Sequence, residues 1–149
     1  MRVGDPAPDF RLRDQDGVER RLADFLAMGP VVLFFYPAAS TSGCTRETCH
    51  FRDLAGEFAA HRASRVGISM DAVDKQAAFA AHNRLDYPLL ADVGGAVARL
   101  YGVKRSLDVL RVRRTTFVID ESGVVREIVA SELNMNVHAD RALAALSTL

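Results

Sequence analysis

The sequence predicts an α/β fold in which helices flank a central mixed β-sheet, and three observations favour this fold class. Apolar runs rich in β-branched and aromatic residues alternate with segments of helical periodicity. Two turn-rich segments, one of them near the N-terminus, separate short strand-like runs and predict hairpins. The chain has 149 residues, 49% of them hydrophobic, and can bury a core without disulfides or a structural metal. We therefore expect a single domain over residues 1–149.

The first half of the chain predicts a hairpin and then a strand-helix-strand-helix unit. The run Val31–Tyr36 is apolar throughout and ends at Pro37, which is typical of a strand buried on both faces. Because helices separate this strand from the next one, we expect the two strands to pair in parallel. The expected elements are strands at 10–13 and 18–22 around a turn at 14–17, a strand at 31–36, a helix from Cys44 to about His61, a strand at 65–70 and a helix at 74–83.

The second half is less regular. It predicts a short strand at 87–90, a helix at 96–101 that ends at Gly102, a hairpin of 115–120 with 124–129, and a last helix at 139–146. A strand-helix-strand unit followed by a helix, a hairpin and a helix is the element order of a thioredoxin-like fold.

Charge and hydropathy exclude several classes of partner. The 19 basic and 19 acidic side chains balance, so the chain lacks the positive field used to bind nucleic acid or anionic membranes. No apolar run approaches the ~18 residues of a membrane span, and residues 1–6 lack the apolar core of a signal peptide. We therefore expect a cytoplasmic protein with reduced thiols and with no nucleic-acid or membrane partner.

The two cysteines are the first candidates for chemistry. Cys44 follows a glycine-containing loop at the start of a predicted helix, where backbone N–H groups and the helix dipole favour a thiolate. Cys49 is five residues further along the same helix, which separates the Cα atoms by about 8.7 Å, too far for a disulfide. A disulfide between them would therefore require this helix to unwind.

Two alternatives remain at this point. Both thiols could be small hydrophobic groups on a buried helix face. A metal set of Cys44, Cys49 and His50 is disfavoured, because Cys-x4-Cys exceeds the usual zinc spacing and no second ligand pair follows. The other histidines, His61, His82 and His138, are scattered along the chain.

The residues around Cys44 resemble a known family. Pro37-x-x-x-Thr41-x-x-Cys44 is similar to the active-site signature of the peroxiredoxins, and Cys44-Thr45-x-Glu47-x-Cys49 resembles the bacterioferritin comigratory protein, or peroxiredoxin Q, branch. The resemblance covers nearly the whole chain, as one peroxiredoxin domain. Further similar segments occur in the family's order at 4–10, 14–17, 31–37 and 114–120.

The resemblance implies a thiol peroxidase that reduces hydrogen peroxide and organic hydroperoxides without a cofactor. Cys44 would be the peroxidatic thiol, which becomes a sulfenic acid. Cys49 would be the resolving thiol, which forms an intramolecular disulfide with Cys44, as in an atypical 2-Cys enzyme. Thioredoxin or a similar dithiol reductant would then reduce that disulfide. The branch also suggests a monomer, with a weak dimer as the alternative.

The resemblance also implies a substrate pocket around Cys44. The Thr41 hydroxyl and the backbone N–H groups of Gly43 and Cys44 would face the peroxide oxygens, where negative charge develops. Pro37 would shield the thiolate from water, because its ring is apolar and lacks an N–H.

Arg114, Glu47 and Ser42 also occupy positions with a counterpart in the family. Arg114 resembles the family arginine that contacts both thiolate and peroxide, although it also lies in a basic stretch where a solvated charge is the alternative. Glu47 resembles the glutamate that orients this arginine, and its position also suits the helix dipole. Ser42 stands where the branch usually has Pro, so the loop is expected to be more mobile and the peroxide reaction slower.

Two other functional classes stay open from sequence. A redox-regulated interaction or chaperone module would use the same cysteines as a sensor, and an inert binding domain would bury them. Reactive-thiol titration separates these classes, because a peroxidatic thiol reacts fast and loses its reactivity after one equivalent of peroxide.

Overall fold

The structure, a computed structural model, describes residues 1–106 and 111–149, and within them the chain forms seven strands and six helices. The strands are β1 (Arg11–Arg13), β2 (Glu19–Arg21), β3 (Val31–Phe35), β4 (Ser64–Ser69), β5 (Leu89–Ala91), β6 (Thr115–Ile119) and β7 (Val125–Ala130). The helices are α1 (Leu22–Leu26), α2 (Ser42–Asp53), α3 (Ala55–Ala60), α4 (Val73–His82), α5 (Ala96–Leu100) and α6 (Asn136–Leu146).

All seven strands belong to one mixed sheet in the order β2-β1-β5-β4-β3-β6-β7. The central strands β3, β4 and β5 pair in parallel, and the other neighbours pair antiparallel. The predicted α/β class, the N-terminal hairpin and the parallel strand-helix-strand unit are therefore confirmed. None of the helices in the described ranges is long and apolar enough to cross a membrane.

Strand β3 divides the core into two layers because its side chains alternate between the sheet faces. Val31, Leu33 and Phe35 join a cluster with residues of α1 and α5, whereas Val32 and Phe34 join a cluster with residues of α2, α3, α4 and α6. All five β3 residues are buried, as the continuous apolar run predicted. The second layer contains Cys44, so the helix that carries this thiol packs directly on the central strand.

The predicted single helix from Cys44 to about His61 is wrong in one respect. The chain forms two helices, α2 and α3, because Leu54 leaves the helical region with φ −96° and ψ 21°. Phe51 and Phe58, on either side of the break, are both fully buried, with ring centroids 5.6 Å apart. The apolar spacing thus continues across the break. This spacing depends on which side chains face the core and is independent of whether the backbone hydrogen bonds are continuous.

Other element boundaries also differ from expectation. Leu22 begins the short helix α1 instead of ending a strand, and the Asp9 side chain accepts a hydrogen bond from the Ala23 N–H at 3.1 Å. A helix of five residues is too short to show helical periodicity, and the side chain that bonds to its first turn lies 14 residues earlier in the sequence. Helix α6 begins at Asn136, three residues earlier than predicted, and β5 begins at Leu89, after Pro88.

Gly67 of β4 lies against side chains that pack beneath α2. A Cβ at Gly67 would lie 2.8 Å from Leu89 Cδ2 and 3.0 Å from Phe34 Cζ, and the Phe34 ring stacks on Phe51 of α2 at 4.2 Å. We expect Gly67→Ala to lower the free energy of unfolding by about 1–3 kcal/mol, measured by urea denaturation. Gly56→Ala on α3 is the control, because a Cβ there meets nothing within 4 Å and should be neutral or stabilising. Equal stability of wild type and Gly67→Ala would contradict this account of the packing.

Candidate active site

Cys44 lies in the first turn of α2 and is fully buried. The helix begins at Ser42, and Thr41 is its N-cap, with an extended backbone and a hydroxyl that accepts from the Cys44 N–H at 3.4 Å. The Arg114 side chain donates from Nη2 to Cys44 Sγ at 3.2 Å. Cys44 thus lies at a helix start, as predicted, and faces a guanidinium group.

Sheet register explains how Arg114 reaches a helix 70 residues away in sequence. Strand β6 pairs antiparallel with β3, and Phe35 lies opposite Thr115. Arg114 therefore enters the sheet beside the residues that follow β3, where the loop to α2 begins. Its backbone N–H donates to Glu132 Oε1 at 2.8 Å. Arg114 is only 6% exposed, so the alternative of a solvated charge is wrong for this residue.

Glu47 holds the other side of the guanidinium. It lies on α2 one turn after Cys44, is fully buried, and accepts from Arg114 Nη1 at 2.6 Å. Burial raises the pKa of Glu47 to about 8, against the opposing effect of the Arg114 charge. Two buried atoms of this pair, Glu47 Oε2 and Arg114 Nε, have no hydrogen-bond partner among the described residues.

His138, on α6, completes this buried group of side chains. It is fully buried, with Nε2 2.8 Å from the Ser131 carbonyl oxygen and Nδ1 2.8 Å from Thr116 Oγ1. Its Nδ1 is also 3.6 Å from the unpartnered Glu47 Oε2. Burial lowers the pKa of His138.

His138 was not among the predicted site residues, because in the sequence it is one of several scattered histidines. The helix predicted from 139 also excluded it. The available signal was its spacing from Ala142 and Leu146, which puts a histidine on the apolar face of α6.

The loop between β3 and α2 is held by its own polar contacts. The Thr41 hydroxyl donates to the Ala38 carbonyl at 3.1 Å, in addition to accepting from the Cys44 N–H. The buried Asp71 accepts from the Ala39 N–H at 2.7 Å. In this arrangement the Thr41 hydroxyl caps the helix. The half-buried Pro37 lies at the start of this loop.

Ser42 and Gly43 open α2, and each position has a physical consequence. Ser42 is the first helical residue, a position that favours proline because its N–H needs no helical partner. A Cβ at Gly43 would lie 3.3 Å from Arg114 Nη2 and 3.4 Å from Met135 Sδ. The absence of a side chain at Gly43 therefore lets Arg114 and Met135 approach the helix start.

Cys49 lies apart from this group. It is half-buried, and its Sγ lies 3.7 Å from the Oδ1 of Asn83, the C-cap residue of α4. Both cysteines are free thiols. His50 pairs with Asp140 at 2.8 Å. Over residues 1–106 and 111–149, no three His, Cys, Asp or Glu side chains form a group that could hold a metal ion.

The fold and this group of residues define a class of protein. A buried thiol at a helix start is hydrogen-bonded to a buried arginine on a mixed α/β sheet, so a cation lies directly beside the sulfur. The class is therefore that of α/β proteins with a thiol-centred site.

Comparison with known proteins identifies the family. The AhpC/TSA family matches residues 3–128. The crystal structure of peroxidoxin BcpB from Mycobacterium tuberculosis is similar with a TM-score of 0.96 and 58% identity, covering 100% of this chain and 98% of that one. Chloroplastic peroxiredoxin Q of Populus jackii is 39% identical over 146 residues, which cover 98% of this chain and 68% of the relative.

A third relative belongs to the branch that the sequence suggested. The bacterioferritin comigratory protein of Xanthomonas campestris is similar with a TM-score of 0.85 and 30% identity, over 93% of this chain and 90% of that one. The chain therefore belongs to the AhpC/TSA family and groups with the peroxiredoxins, a class of thiol peroxidases. The resemblance stated from the sequence and the thioredoxin-like fold are both confirmed.

Proposed function

We propose that this peroxiredoxin reduces hydrogen peroxide and organic hydroperoxides through Cys44. Cys49 then resolves the oxidised Cys44 by forming an intramolecular disulfide, and thioredoxin or a similar dithiol reductant reduces that disulfide. The observation that carries the proposal is the 3.2 Å contact from Arg114 Nη2 to Cys44 Sγ inside a buried site. A cation held against sulfur stabilises the thiolate, which is the reactive form.

The first step is a displacement at oxygen. The Cys44 thiolate attacks one peroxide oxygen, so an S–O bond forms while the O–O bond breaks. Sulfur is oxidised to a sulfenic acid, and the departing oxygen takes a proton and leaves as water or an alcohol. Negative charge moves from sulfur to the departing oxygen, so donors arranged around both atoms lower the barrier.

The residues around Cys44 suit these demands. Arg114 has a planar set of donors that can hold peroxide oxygens beside the sulfur to which it already donates. The N–H groups of Gly43 and Cys44 lie in the first turn of α2, where helical N–H groups lack helical acceptors. Thr41 would turn its hydroxyl from the helix cap toward the bound peroxide, and Pro37 would limit access of water.

Resolution by Cys49 requires the start of α2 to unwind. In the folded helix, Cys44 Sγ contacts Arg114 whereas Cys49 Sγ contacts Asn83, so the two sulfurs have different surroundings. Local unwinding would bring Cys49 to the sulfenic acid. Its sulfur would then bond to Cys44 sulfur, the hydroxyl would leave as water, and a dithiol would reduce the disulfide by exchange.

Several features of α2 favour such unwinding. The cap contact between the Thr41 hydroxyl and the Cys44 N–H is long at 3.4 Å. Thr45 and Thr48 donate their hydroxyls to carbonyls of the preceding turn at 2.8 Å, an arrangement that weakens helices slightly. Ser40, just before the helix, has φ 68°, a left-handed conformation that is unfavourable for a residue with a Cβ.

The relatives support the choice of substrate class. The solved structure from Xanthomonas campestris concerns the alkyl peroxide reduction activity of that bacterioferritin comigratory protein. We extend this class of substrate to the present chain, and we propose that it acts as a cytoplasmic monomer.

Replacing Cys49 with serine tests the resolving step. We expect Cys49→Ser to consume one equivalent of peroxide and to form a sulfenic acid that dimedone traps, and then to stop turning over with thioredoxin. The chain has 2 cysteines, so no other thiol can take over the intramolecular step. Peroxide consumption by stopped flow, intact mass and a thioredoxin-coupled assay give the three measurements.

The control for this experiment is Thr45→Ser, which changes a residue of the same helix and keeps the hydroxyl that bonds to Thr41 O. This variant should keep steady turnover. Sustained turnover of Cys49→Ser with thioredoxin would contradict the resolving role. Slow peroxide reduction by the wild type, together with a partner that binds only one redox state, would instead favour a redox-regulated interaction module.

A further inference from the structure

The buried site contains one permanent cation and two groups that compete for it. Arg114 donates to Cys44 Sγ from one nitrogen and to Glu47 Oε1 from another. If both Cys44 and Glu47 were ionised, this fully or nearly fully buried group would carry a net negative charge, which is costly away from water. Formation of the Cys44 thiolate therefore favours a proton on the Glu47 side of the guanidinium.

The contacts of His138 fix its hydrogen positions. The Ser131 carbonyl can only accept, so His138 Nε2 carries the hydrogen of the neutral ring. Nδ1 then has a lone pair, which accepts from the Thr116 hydroxyl. Glu47 Oε2, which has no hydrogen-bond partner among the described residues, lies 3.6 Å from the same Nδ1.

Two facing acceptors in a buried site lack the hydrogen that would join them. A proton on Oε2 or on Nδ1 turns their repulsion into an attraction, and a movement of a few tenths of an ångström would make it a hydrogen bond. When Nδ1 carries the proton, the Thr116 hydroxyl can rotate and become an acceptor.

We propose that His138 is a positioning residue that shares one buried proton with Glu47, and that this sharing leaves the charge of Arg114 available to the Cys44 thiolate. The inference rests on the proposed role of Cys44. Below the Cys44 midpoint, Cys44 is a thiol, and the Glu47–His138 pair holds its own proton between Oε2 and Nδ1. Above the midpoint, Cys44 has released its proton to solvent and pairs with Arg114, while the Glu47–His138 pair keeps its proton. The net charge of the site falls by one between the two states, and Glu47 does not become a second anion beside the thiolate.

Charged groups on the surrounding elements act on this pair in both directions. Burial is the main cause that lowers the pKa of His138; Arg114 and Arg141 lower it further, whereas the contact with the Ser131 carbonyl and the charge of Glu132 raise it. Burial is also the main cause that raises the pKa of Glu47, with Arg114 opposing it and Glu132 adding to it. Burial of both groups therefore favours a neutral carboxyl beside a neutral imidazole, which is the pair with one proton.

The test replaces His138 with glutamine, which can form hydrogen bonds but cannot take a proton. The variant is made in the Cys49→Ser background, so that Cys44 is the single thiol, and the probe is the rate of alkylation by iodoacetamide against pH. We expect the midpoint of Cys44 reactivity to rise by about half a pH unit, roughly a threefold loss of thiolate below the midpoint. His82→Gln, at an exposed position on α4, is the matched control and should leave the midpoint unchanged.

A double-mutant cycle separates proton sharing from a packing effect. Glu47→Gln removes the group that would compete for Arg114 if it lost its proton, so we expect a midpoint no higher than that of the parent protein. In the Glu47→Gln background, His138→Gln should then cause no further shift. An equal shift by His138→Gln with and without Glu47 would overturn the proposal, as would the absence of any shift in the single variant.

A measurement without changes at this pair covers the case in which His138→Gln does not fold. In the Cys49→Ser protein, the ¹³C signal of the Glu47 carboxyl and the ¹⁵N signals of His138 are followed by NMR across the Cys44 midpoint. We expect the pair still to hold its proton just above that midpoint, and the shift that Cys44 ionisation causes in at least one of these signals should disappear in Cys44→Ser. If neither signal responds to ionisation of Cys44, the proposal is wrong.

These readouts need no peroxide and no reductant, so they are independent of the proposed function. A chain with the expected pH behaviour but no peroxide reduction would contradict the proposed function alone. A fast peroxidase whose Cys44 midpoint ignores His138 would contradict this inference alone.

Discussion

Replacing Cys44 with serine is expected to abolish peroxide consumption, down to the rate without protein. The serine hydroxyl does not ionise near neutral pH and its oxygen cannot accept a further oxygen, so neither the nucleophile nor the oxidised product can form. Serine is close to cysteine in size, and the first turn of α2 should remain folded around it. The measurement is peroxide loss after mixing equimolar protein and hydrogen peroxide, followed by intact mass.

Cys49→Ser is the matched control for this change, because it makes the same substitution five residues further along α2. The control should still consume one equivalent of peroxide. If Cys44→Ser reduced peroxide at a rate near that of the wild type, the assignment of Cys44 as the nucleophile would be wrong, and the proposed function with it.

Arg114→Met is expected to slow the reaction of Cys44 with peroxide by about 10²–10³-fold, the usual effect of losing a donor aimed at developing charge. Methionine keeps much of the apolar length of arginine but removes both the donor to Cys44 Sγ and the donor to Glu47. The measurement is the second-order rate constant by stopped flow under excess peroxide. A rate within about threefold of the wild type would contradict the proposed role of Arg114.

The stability of this variant needs its own control, because Arg114→Met leaves Glu47 buried without a partner. Removal of one member of a buried ion pair commonly costs about 3–5 kcal/mol, whereas replacement of both members can be nearly neutral. We therefore expect Arg114→Met with Glu47→Gln to recover stability in urea but not the peroxide rate. Arg113→Met, at an exposed neighbouring position, should change neither quantity.

The parts of the fold that the sequence predicted well are those with strong local patterns. Val31–Phe35 is apolar throughout and forms the central strand, and the turn at 14–17 separates two paired strands as expected. The helix break at Leu54 was not predicted, because it interrupts backbone hydrogen bonds without changing the apolar spacing. Helix α1 was not predicted either, because its five residues are too few to show a helical period.

The sequence by itself determined the nucleophile candidate, because the position of Cys44 after a glycine-containing loop at a helix start is a local property. The resemblance identified Arg114 and Glu47 as site residues but did not predict their contacts or their burial. Only the tertiary structure decided that Arg114 is buried between Cys44 and Glu47, since the antiparallel register of β3 with β6 brings residues 70 positions apart into contact. It also decided that His138 faces Glu47, because α6 packs against the sheet beside α2 and a contact between distant elements leaves no spacing in the sequence.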